Sequence, residues 1–266
     1  ASDFEESIAD VKAATLEQLK AFHAGFYGAD HAEIAVVGDI DAGAMEPLVA
    51  GLFADWKSGA AYTRVPRPMF DVAPASLKIE TPDKANAFFI ARLHFPLRDD
   101  AADYAATLIA NRLFGGGPGS LLWQRIREKE GLSYGIGSNF SASSFEPHAT
   151  LTAFAIYAPQ NLARLEQGIQ EEMARVDREG FTQEKLNDAK TGMLQARRLA
   201  RAQDAALAGT LTDRLLLGRT LAFDAQVDRD IQALTLDQVN AAYRKYFVAS
   251  KLVTVRAGDF AKGAPK

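Results

Sequence analysis

The chain has 266 residues, 48% of them hydrophobic and 24% charged, which is typical of a globular protein with one large domain, or one domain and part of another. Its net charge of −4 and isoelectric point near 5.7 give no electrostatic reason to expect nucleic acid or an anionic membrane as a partner. No apolar run approaches the roughly 18 residues that span a bilayer. Because cysteine is absent, disulfides and thiolate metal sites are excluded, and the compartment stays open between bacterial periplasm and cytoplasm.

An internal repeat is the first feature met along the chain. Residues 15–40 read TLEQLKAFHAGFYGADHAEIAVVGDI and align without a gap with residues 235–260, TLDQVNAAYRKYFVASKLVTVRAGDF. Each copy predicts a capped helix, then aromatic residues, a short loop and an apolar strand that ends in Gly-Asp. The predicted capping boxes are Thr15 with Gln18, and Thr235 with Gln238. The shared caps, aromatics and strand ends indicate two copies of one duplicated domain.

The repeat also predicts the domain organisation. We interpret residues 1–60 as the C-terminal tail of a preceding domain whose beginning lies outside this chain. Residues 61–74 are rich in proline, as expected of a linker between compact units. Residues 75–266 are then one complete copy of the domain.

The complete copy contains pairs of strands beside runs of helices. In chain order we predict strands at 76–81 and 87–95, helices at 101–114 and 121–130, strands at 134–144 and 149–158, helices at 160–179, 183–218, 225–234 and 236–247, and a strand at 251–257. This order predicts an α+β fold, a two-layer sandwich in which helices pack on an antiparallel β-sheet.

The segment from Leu113 to Tyr134, LFGGGPGSLLWQRIREKEGLSY, is the most informative part of the chain. A glycine-rich loop leads into a short charged helix, which Gly131 ends just before the strand that begins near Tyr134. On a helical wheel Arg127 lies at the edge of the apolar stripe, so its guanidinium can reach out from a packed surface. We therefore expect Arg127 and Tyr134 to converge on one oxygen, such as a peptide carbonyl.

This segment resembles the second-half signature of the M16 zinc metallopeptidases, the family of pitrilysin, insulinase and the mitochondrial processing peptidase. In that family a glycine-rich loop precedes an Arg-Glu-x-x-Gly-Leu-x-Tyr element, which residues 127–134 match. The resemblance implies that Arg127 and Tyr134 bind the substrate carbonyl or oxyanion opposite the zinc. The glycines that it assigns to a substrate loop are Gly115, Gly116, Gly117 and Gly119.

The family's zinc motif, His-x-x-Glu-His, is absent from this chain. The resemblance therefore implies the non-zinc, substrate-binding portion of an M16-like zinc metalloendopeptidase that binds and helps to cleave unfolded peptides. Zinc and the general-base Glu would lie in a separate zinc-bearing half, on the same polypeptide or on another subunit. This chain alone is expected to hold no cofactor and to be inactive, with that half and a peptide as its partners and no nucleic acid or membrane span.

Two other functions stay open at this point. A non-catalytic structural relative, similar to the core subunits of the respiratory bc1 complex, would use the same fold for assembly. A stand-alone peptide-binding module would bind peptides tightly without any zinc partner. A His-x-x-Glu-His motif upstream in the parent protein, or in a neighbouring reading frame, would distinguish a peptidase from a scaffold.

Other candidate motifs point to simpler roles. The glycine loop lacks the Gly-Lys-Ser/Thr ending of a phosphate-binding loop, and Pro118 removes one backbone donor. It is better interpreted as a flexible loop beside a substrate channel, since glycine lets the backbone approach a ligand closely. The histidines His23, His31, His94 and His148 form no i, i+4 pair, so we interpret them as structural rather than as zinc ligands.

The charged residues 125–130 could by themselves form an ordinary solvated helix face. The neighbouring glycine loop, the helix stop and Tyr134 favour a functional interpretation. Of the two arginines, Arg127 has the better spacing to Tyr134, and Arg125 is expected to matter much less.

Overall fold

The computed structural model describes residues 3–261 and divides the chain into two compact units. The first unit comprises Ala1–Val65 with Ala200–Thr220, and the second comprises Pro66–Leu199 with Leu221–Lys266. The first crossing between the units falls within the predicted linker. Residues 200–220 belong to the first unit. The interpretation of residues 75–266 as one complete copy of a duplicated domain stays a prediction.

The first unit is helical in its described part. Its helices are α1 (Phe4–Ala13), α2 (Leu16–Phe26), α3 (Ala42–Phe53) and α7 (Asp204–Leu216). None of these four helices contains a buried residue, and large side chains such as Phe4 and Phe26 are mostly exposed. Side-chain caps satisfy free backbone N–H groups at the starts of α1, α2 and α3, whereas α7 has no side-chain cap. Local capping therefore supports these three helices more than burial does.

The two halves of the internal repeat differ in outcome. Helix α2 and helix α9 (Leu236–Tyr246) both begin with the predicted Thr-Gln capping box, so the helical half is confirmed. The strand half is not, because residues 32–37 pair with no strand of the described chain, whereas the matching β5 (Val253–Gly258) lies inside the sheet. A strand forms only where a neighbour takes up its backbone hydrogen bonds, and residues 3–261 provide none for this segment.

The second unit contains a five-stranded sheet, formed by β5 together with β1 (Ala75–Glu80), β2 (Ala87–Phe95), β3 (Ser133–Ala142) and β4 (Ala149–Tyr157). The strand order is β1-β5-β2-β4-β3. The predicted α+β class is confirmed, but the sheet is mixed rather than wholly antiparallel. Strand β5 lies between β1 and β2 and pairs parallel with the first and antiparallel with the second. Since β1 and β2 run in opposite directions, any strand inserted between them must be parallel to one of them.

Helices cover one face of this sheet. They are α4 (Tyr104–Phe114), α5 (Leu162–Glu179), α6 (Gln183–Arg201), α8 (Leu221–Ala233) and α9, together with a π-helix at Trp123–Lys129. Strand β2 shows the two faces directly, since Phe89 and Leu93 are buried towards the helices while alternate residues are not. Phe114 of α4 and Tyr243 of α9 pack with ring centroids 5.7 Å apart. Burial of such side chains typically contributes about 1.5–3 kcal/mol each.

The single long helix predicted at 183–218 is two helices, α6 and α7. Gln203 between them is extended, with φ −101° and ψ 120°. The break lies close to the point where the chain passes from the second unit to the first. Asp204 then begins α7, where a carboxylate in the first turn interacts favourably with the helix dipole. Within residues 3–261, none of the helices combines the length and the apolar character that a membrane crossing requires.

Candidate functional site

The predicted helix at 121–130 is a π-helix over Trp123–Lys129. The Glu130 N–H donates to the Arg125 carbonyl at 3.0 Å, a bond that spans five residues instead of four. The wider turn brings side chains five apart onto one face, so the Trp123 indole N–H donates to the Glu128 carboxylate at 3.0 Å. Because π-turns are rare and frequently occur at functional sites, this turn marks the segment independently of its sequence motif.

Arg125 faces a group of carboxylates and is fully paired. Its guanidinium donates to Glu130 at 2.8 Å and to Glu172 of α5 at 3.3 Å, and it also contacts Glu171. The hydrogen bonds to Glu130 and then Glu171 raise the pKa of the Arg125 guanidinium above its usual value. Arg125 therefore ties the π-helix to α5, which is a structural role.

Arg127 leaves the other side of the π-helix and is exposed. Its guanidinium carbon lies 4.0 Å from the centroid of the Trp123 ring and 6.0 Å from that of Tyr134. No carboxylate in the described chain forms an ion pair with it. A guanidinium over a tryptophan face is attracted by the ring quadrupole, so Trp123 can hold Arg127 in place while its N–H donors stay available to a ligand.

Tyr134 lies near the start of β3, just beyond Gly131, whose φ of +61° allows the sharp turn out of the π-helix. The side chain is 82% exposed, and its hydroxyl has no hydrogen-bond partner within residues 3–261. The structure thus places Arg127 and Tyr134 side by side on the surface. Whether both bind one oxygen of a substrate stays a prediction.

The first half of the glycine loop is held by hydrogen bonds to its neighbours, and its role beside a substrate channel stays a prediction. The Ser138 N–H of β3 donates to the Gly115 carbonyl at 2.6 Å, and the Arg112 guanidinium donates to the Gly116 carbonyl at 2.8 Å. A Cβ at Gly115 would lie 2.4 Å from the Ser138 hydroxyl oxygen, so only glycine permits this approach. The loop is therefore fixed against the edge strand of the sheet.

The four loop glycines assigned from sequence do not share one position. Gly115, Gly116 and Gly117 line a groove between the loop and the sheet, and Trp123 lines the same groove. Gly119 is not part of that lining. Three of the four predicted loop residues therefore lie in the same groove as the aromatic platform of Arg127.

The structure brings together two histidines that are distant in sequence. His94 Nδ1 lies 3.1 Å from His148 Nε2, on the sheet face that is not covered by helices. Burial, followed by the charges of His148 and Arg92, lowers the pKa of His94. In the first unit, His23 stacks on Trp56, and His31 lies near Tyr62 with the two rings tilted. Within the described residues, no group of three or more histidine or acidic side chains could hold a metal ion.

The uncovered face of the sheet carries apolar side chains. Phe88 of β2 is 40% exposed and lies opposite Ile156 of β4 in the strand register. Leu77 and Ile79 of the edge strand β1 continue this face and are at least half exposed. Contiguous exposed apolar surface of this kind marks sites where proteins bind other chains.

Comparison with known proteins gives the family. Residues 13–193 match the family model described as the Peptidase M16 inactive domain. The chain belongs to the M16 peptidase family. The resemblance seen in the Arg-Tyr element is thereby confirmed, and the chain carries an inactive domain of the M16 type.

Two curated relatives show how far the similarity extends. This M16 domain is 26% identical over 235 residues to the uncharacterized zinc protease YmxG of Bacillus subtilis, a match that covers 87% of this chain and 55% of the relative. It is also 26% identical over 238 residues to the non-peptidase homolog YmxG of Helicobacter pylori, with coverage of 88% and 53%. The chain thus spans about half the length of the curated relatives that it matches.

Solved structures agree with this assignment. The peptidase M16 inactive domain from Pseudomonas fluorescens is 27% identical and superposes with a TM-score of 0.78, covering 94% of this chain and 59% of that one. A protease from Helicobacter pylori has a TM-score of 0.76 at 16% identity, with coverage of 94% and 60%, and supports the fold alone.

Sequence reasoning missed several contributors to this site. Trp123 lies within the segment 113–134, but its role as a platform for Arg127 appears only in the structure. Gly135 and Gly137 were not singled out, although glycine at alternate strand positions signals a bare patch on one face of a sheet. That spacing could have been found in the sequence.

Proposed function

We propose that this domain is the non-zinc, substrate-binding portion of an M16-type zinc metalloendopeptidase, and that Arg127 and Tyr134 bind a carbonyl oxygen of the peptide that is cleaved. One observation carries the proposal. Arg127 is an exposed cation held over Trp123 without an acidic partner in the described chain, whereas Arg125 nearby is fully paired. An unpaired arginine beside an unpaired tyrosine hydroxyl is the arrangement that an anionic oxygen would bind.

The chemistry follows from where charge develops. During hydrolysis of a peptide bond the carbonyl oxygen gains negative charge, so donors directed at it stabilise the transition state more than the ground state. One such donor is typically worth ~3 kcal/mol. Because no described residues of this domain form a metal cluster, we assign zinc and the general-base Glu to a separate zinc-bearing half of the parent protein.

The exposed apolar face of the sheet supports unfolded peptides as substrates. Folded proteins bury most of their apolar side chains, whereas an unfolded chain presents them to a surface such as that formed by Phe88 and Ile156.

The first unit supports the proposed organisation of the parent protein. Its exposed apolar helices fit residues 1–60 as the tail of a preceding domain that would cover them, and the zinc-bearing half would lie on the same polypeptide or on another subunit.

The test uses the parent protein with its zinc-bearing half. Arg127→Ala or Tyr134→Phe should lower kcat/KM by roughly 10²–10³-fold, with zinc content and folding unchanged, because each removes a donor to the oxyanion. Lys129→Ala is the matched control, since Lys129 is an exposed cation of the same π-helix and should change kcat/KM by less than about twofold. Wild-type kcat/KM in the Arg127→Ala enzyme would refute the proposal.

A second candidate function has one observation in its favour. The relative from Helicobacter pylori is named a non-peptidase homolog. If the parent protein lacks a His-x-x-Glu-His half, we infer a structural or peptide-binding role instead of peptidase activity. The sequence of the parent reading frame, followed by a peptidase assay, distinguishes these two functions.

A further inference from the structure

A groove of about 390 Å³ lies along the edge strand β3 beside the glycine loop, and side chains of α4 and α6 also line it. Trp123 and Phe154 of β4 line this groove, as do Gly135 and Gly137 of β3. In the strand register Gly135 lies opposite Ile156 and Gly137 opposite Phe154, so both glycines belong to the uncovered face. The groove is therefore open where β3 has no side chains.

Gly135 is not required by the fold. A Cβ at this position would meet no atom within 4 Å, and its φ is not among the positive values of the chain. By contrast, a Cβ at Gly137 would lie 3.1 Å from the Phe154 ring. Glycine within a strand is destabilising by roughly 0.5–1 kcal/mol relative to alanine. The physical effect of Gly135 is thus to leave space in the groove.

The lining has little free charge. Aspartate and glutamate are absent from it, and the guanidinium of its charged residue, Arg112, donates to the Gly116 carbonyl at 2.8 Å. Two polar residues of the lining also satisfy each other, since the Ser138 hydroxyl donates to Asn111 Oδ1 at 2.6 Å. An uncharged apolar group suits these walls, and the volume lies near the lower end of the ~300–1,000 Å³ typical of ligand pockets.

We infer that this groove binds one bulky apolar side chain, such as Phe, Leu or Met, of the peptide held by Arg127 and Tyr134. The inference rests on the proposed function and adds the substrate class. Trp123 joins the two sites, because its ring lines the groove and also lies beneath the Arg127 guanidinium. The pairing of β3 with β4 is irregular between Ser133 and Gly135, and Tyr134 lies at this irregularity, directly before the open position at Gly135. A peptide whose carbonyl is bound at the pair therefore has a neighbouring side chain within reach of the groove.

The experiment uses the whole 266-residue chain and two acetylated, amidated hexapeptides that differ only in a central Phe or Gly. By titration calorimetry, the wild-type chain should bind the Phe peptide about 10–100-fold more tightly, which corresponds to burial of one aromatic side chain. Gly135→Val should reduce binding of the Phe peptide to the level of the Gly peptide. The same substitution should leave the Tm equal or higher, because valine favours strands.

Two further variants complete the test. Ser141→Val changes another residue on the same face of β3 but outside the groove, and it should keep the preference for Phe. Gly135→Ala fills the groove less and should give an intermediate loss, which keeps the test valid if the valine variant unfolds.

The outcomes separate the two proposals. Equal binding of both peptides by the wild type, no binding of either, or a Gly135→Val chain that keeps its preference overturns the groove as a side-chain site. The proposed function stands in those cases if Arg127→Ala still lowers kcat/KM in the parent enzyme. If Arg127→Ala has no effect there, the proposed function fails as well.

Discussion

At the scale of single residues, the contrast between Arg125 and Arg127 depends on the π-turn. The five-residue spacing aligns Arg125 with Glu130 and directs it towards α5, while Arg127 emerges beside Trp123. Two identical side chains in one short helix therefore have different surroundings. Arg125 is held in an ion-pair network, and Arg127 lies exposed over the Trp123 ring without an ion-pair partner among residues 3–261.

We predict that Arg125→Ala lowers the free energy of unfolding by about 2–3 kcal/mol, because it leaves the largely buried Glu172 with fewer partners. Arg127→Ala should lower it by less than about 1 kcal/mol, since only an exposed cation–π contact is lost. Urea denaturation of both variants measures the difference. Equal losses would contradict the structural role of Arg125, which also makes this residue unsuitable as a neutral control in kinetic experiments.

At the scale of elements, helix ends are determined by specific local contacts. Helix α5 ends at Gly180, which has φ +76° and ψ −172°, a conformation that is almost restricted to glycine. The next residue, Phe181, donates its N–H to Asn240 Oδ1 of α9 at 2.8 Å. This junction joins two helices that cover the sheet, so the end of α5 affects the packing of α9.

We predict that Gly180→Ala destabilises the protein by about 1–3 kcal/mol, because the backbone would be strained and the new Cβ would lie 2.7 Å from Asn240 Nδ2. Gly192→Ala in α6 is the matched control, since its Cβ would meet nothing within 4 Å. Alanine within a helix should stabilise by roughly 0.5–1 kcal/mol. Thermal denaturation should therefore move the Tm in opposite directions, and a shift in the same direction would contradict this account.

At the scale of the whole molecule, the two units differ in how they are stabilised. The second unit has a sheet and a buried core, whereas the described helices of the first unit bury no residue. We propose that another part of a longer protein covers the first unit.

We predict that the purified chain binds no stoichiometric zinc and cleaves no peptide, because the described residues contain no metal cluster and the sequence lacks His-x-x-Glu-His. Elemental analysis and a fluorogenic peptide assay check this, and addition of the zinc-bearing half should restore chelator-sensitive cleavage. Tight zinc in the isolated chain together with chelator-sensitive proteolysis would refute the prediction.

Local features of this protein were predictable from the sequence because they depend on neighbouring residues. The capping box at Thr235, the alternation along β2 and the Arg-Glu-x-x-Gly-Leu-x-Tyr element are all readable within short windows. Side-chain periodicity and capping are short-range effects, so the sequence determined the α+β class, most elements and the Arg127–Tyr134 pair.

Only the tertiary structure decided the position of β5 between β1 and β2 and the missing strand at residues 32–37, because strand pairing depends on partners far away in sequence. The π-turn also depends on packing. Helix α5 approaches the π-helix closely at Gly168, where a Cβ would lie 2.5 Å from the Ile126 side chain. Ile126 lies between Arg125 and Arg127, so this close packing occurs at the turn that separates the two arginines. A helical wheel contains no information about that neighbour, and the groove over Gly135 exists only once the loop lies against the sheet.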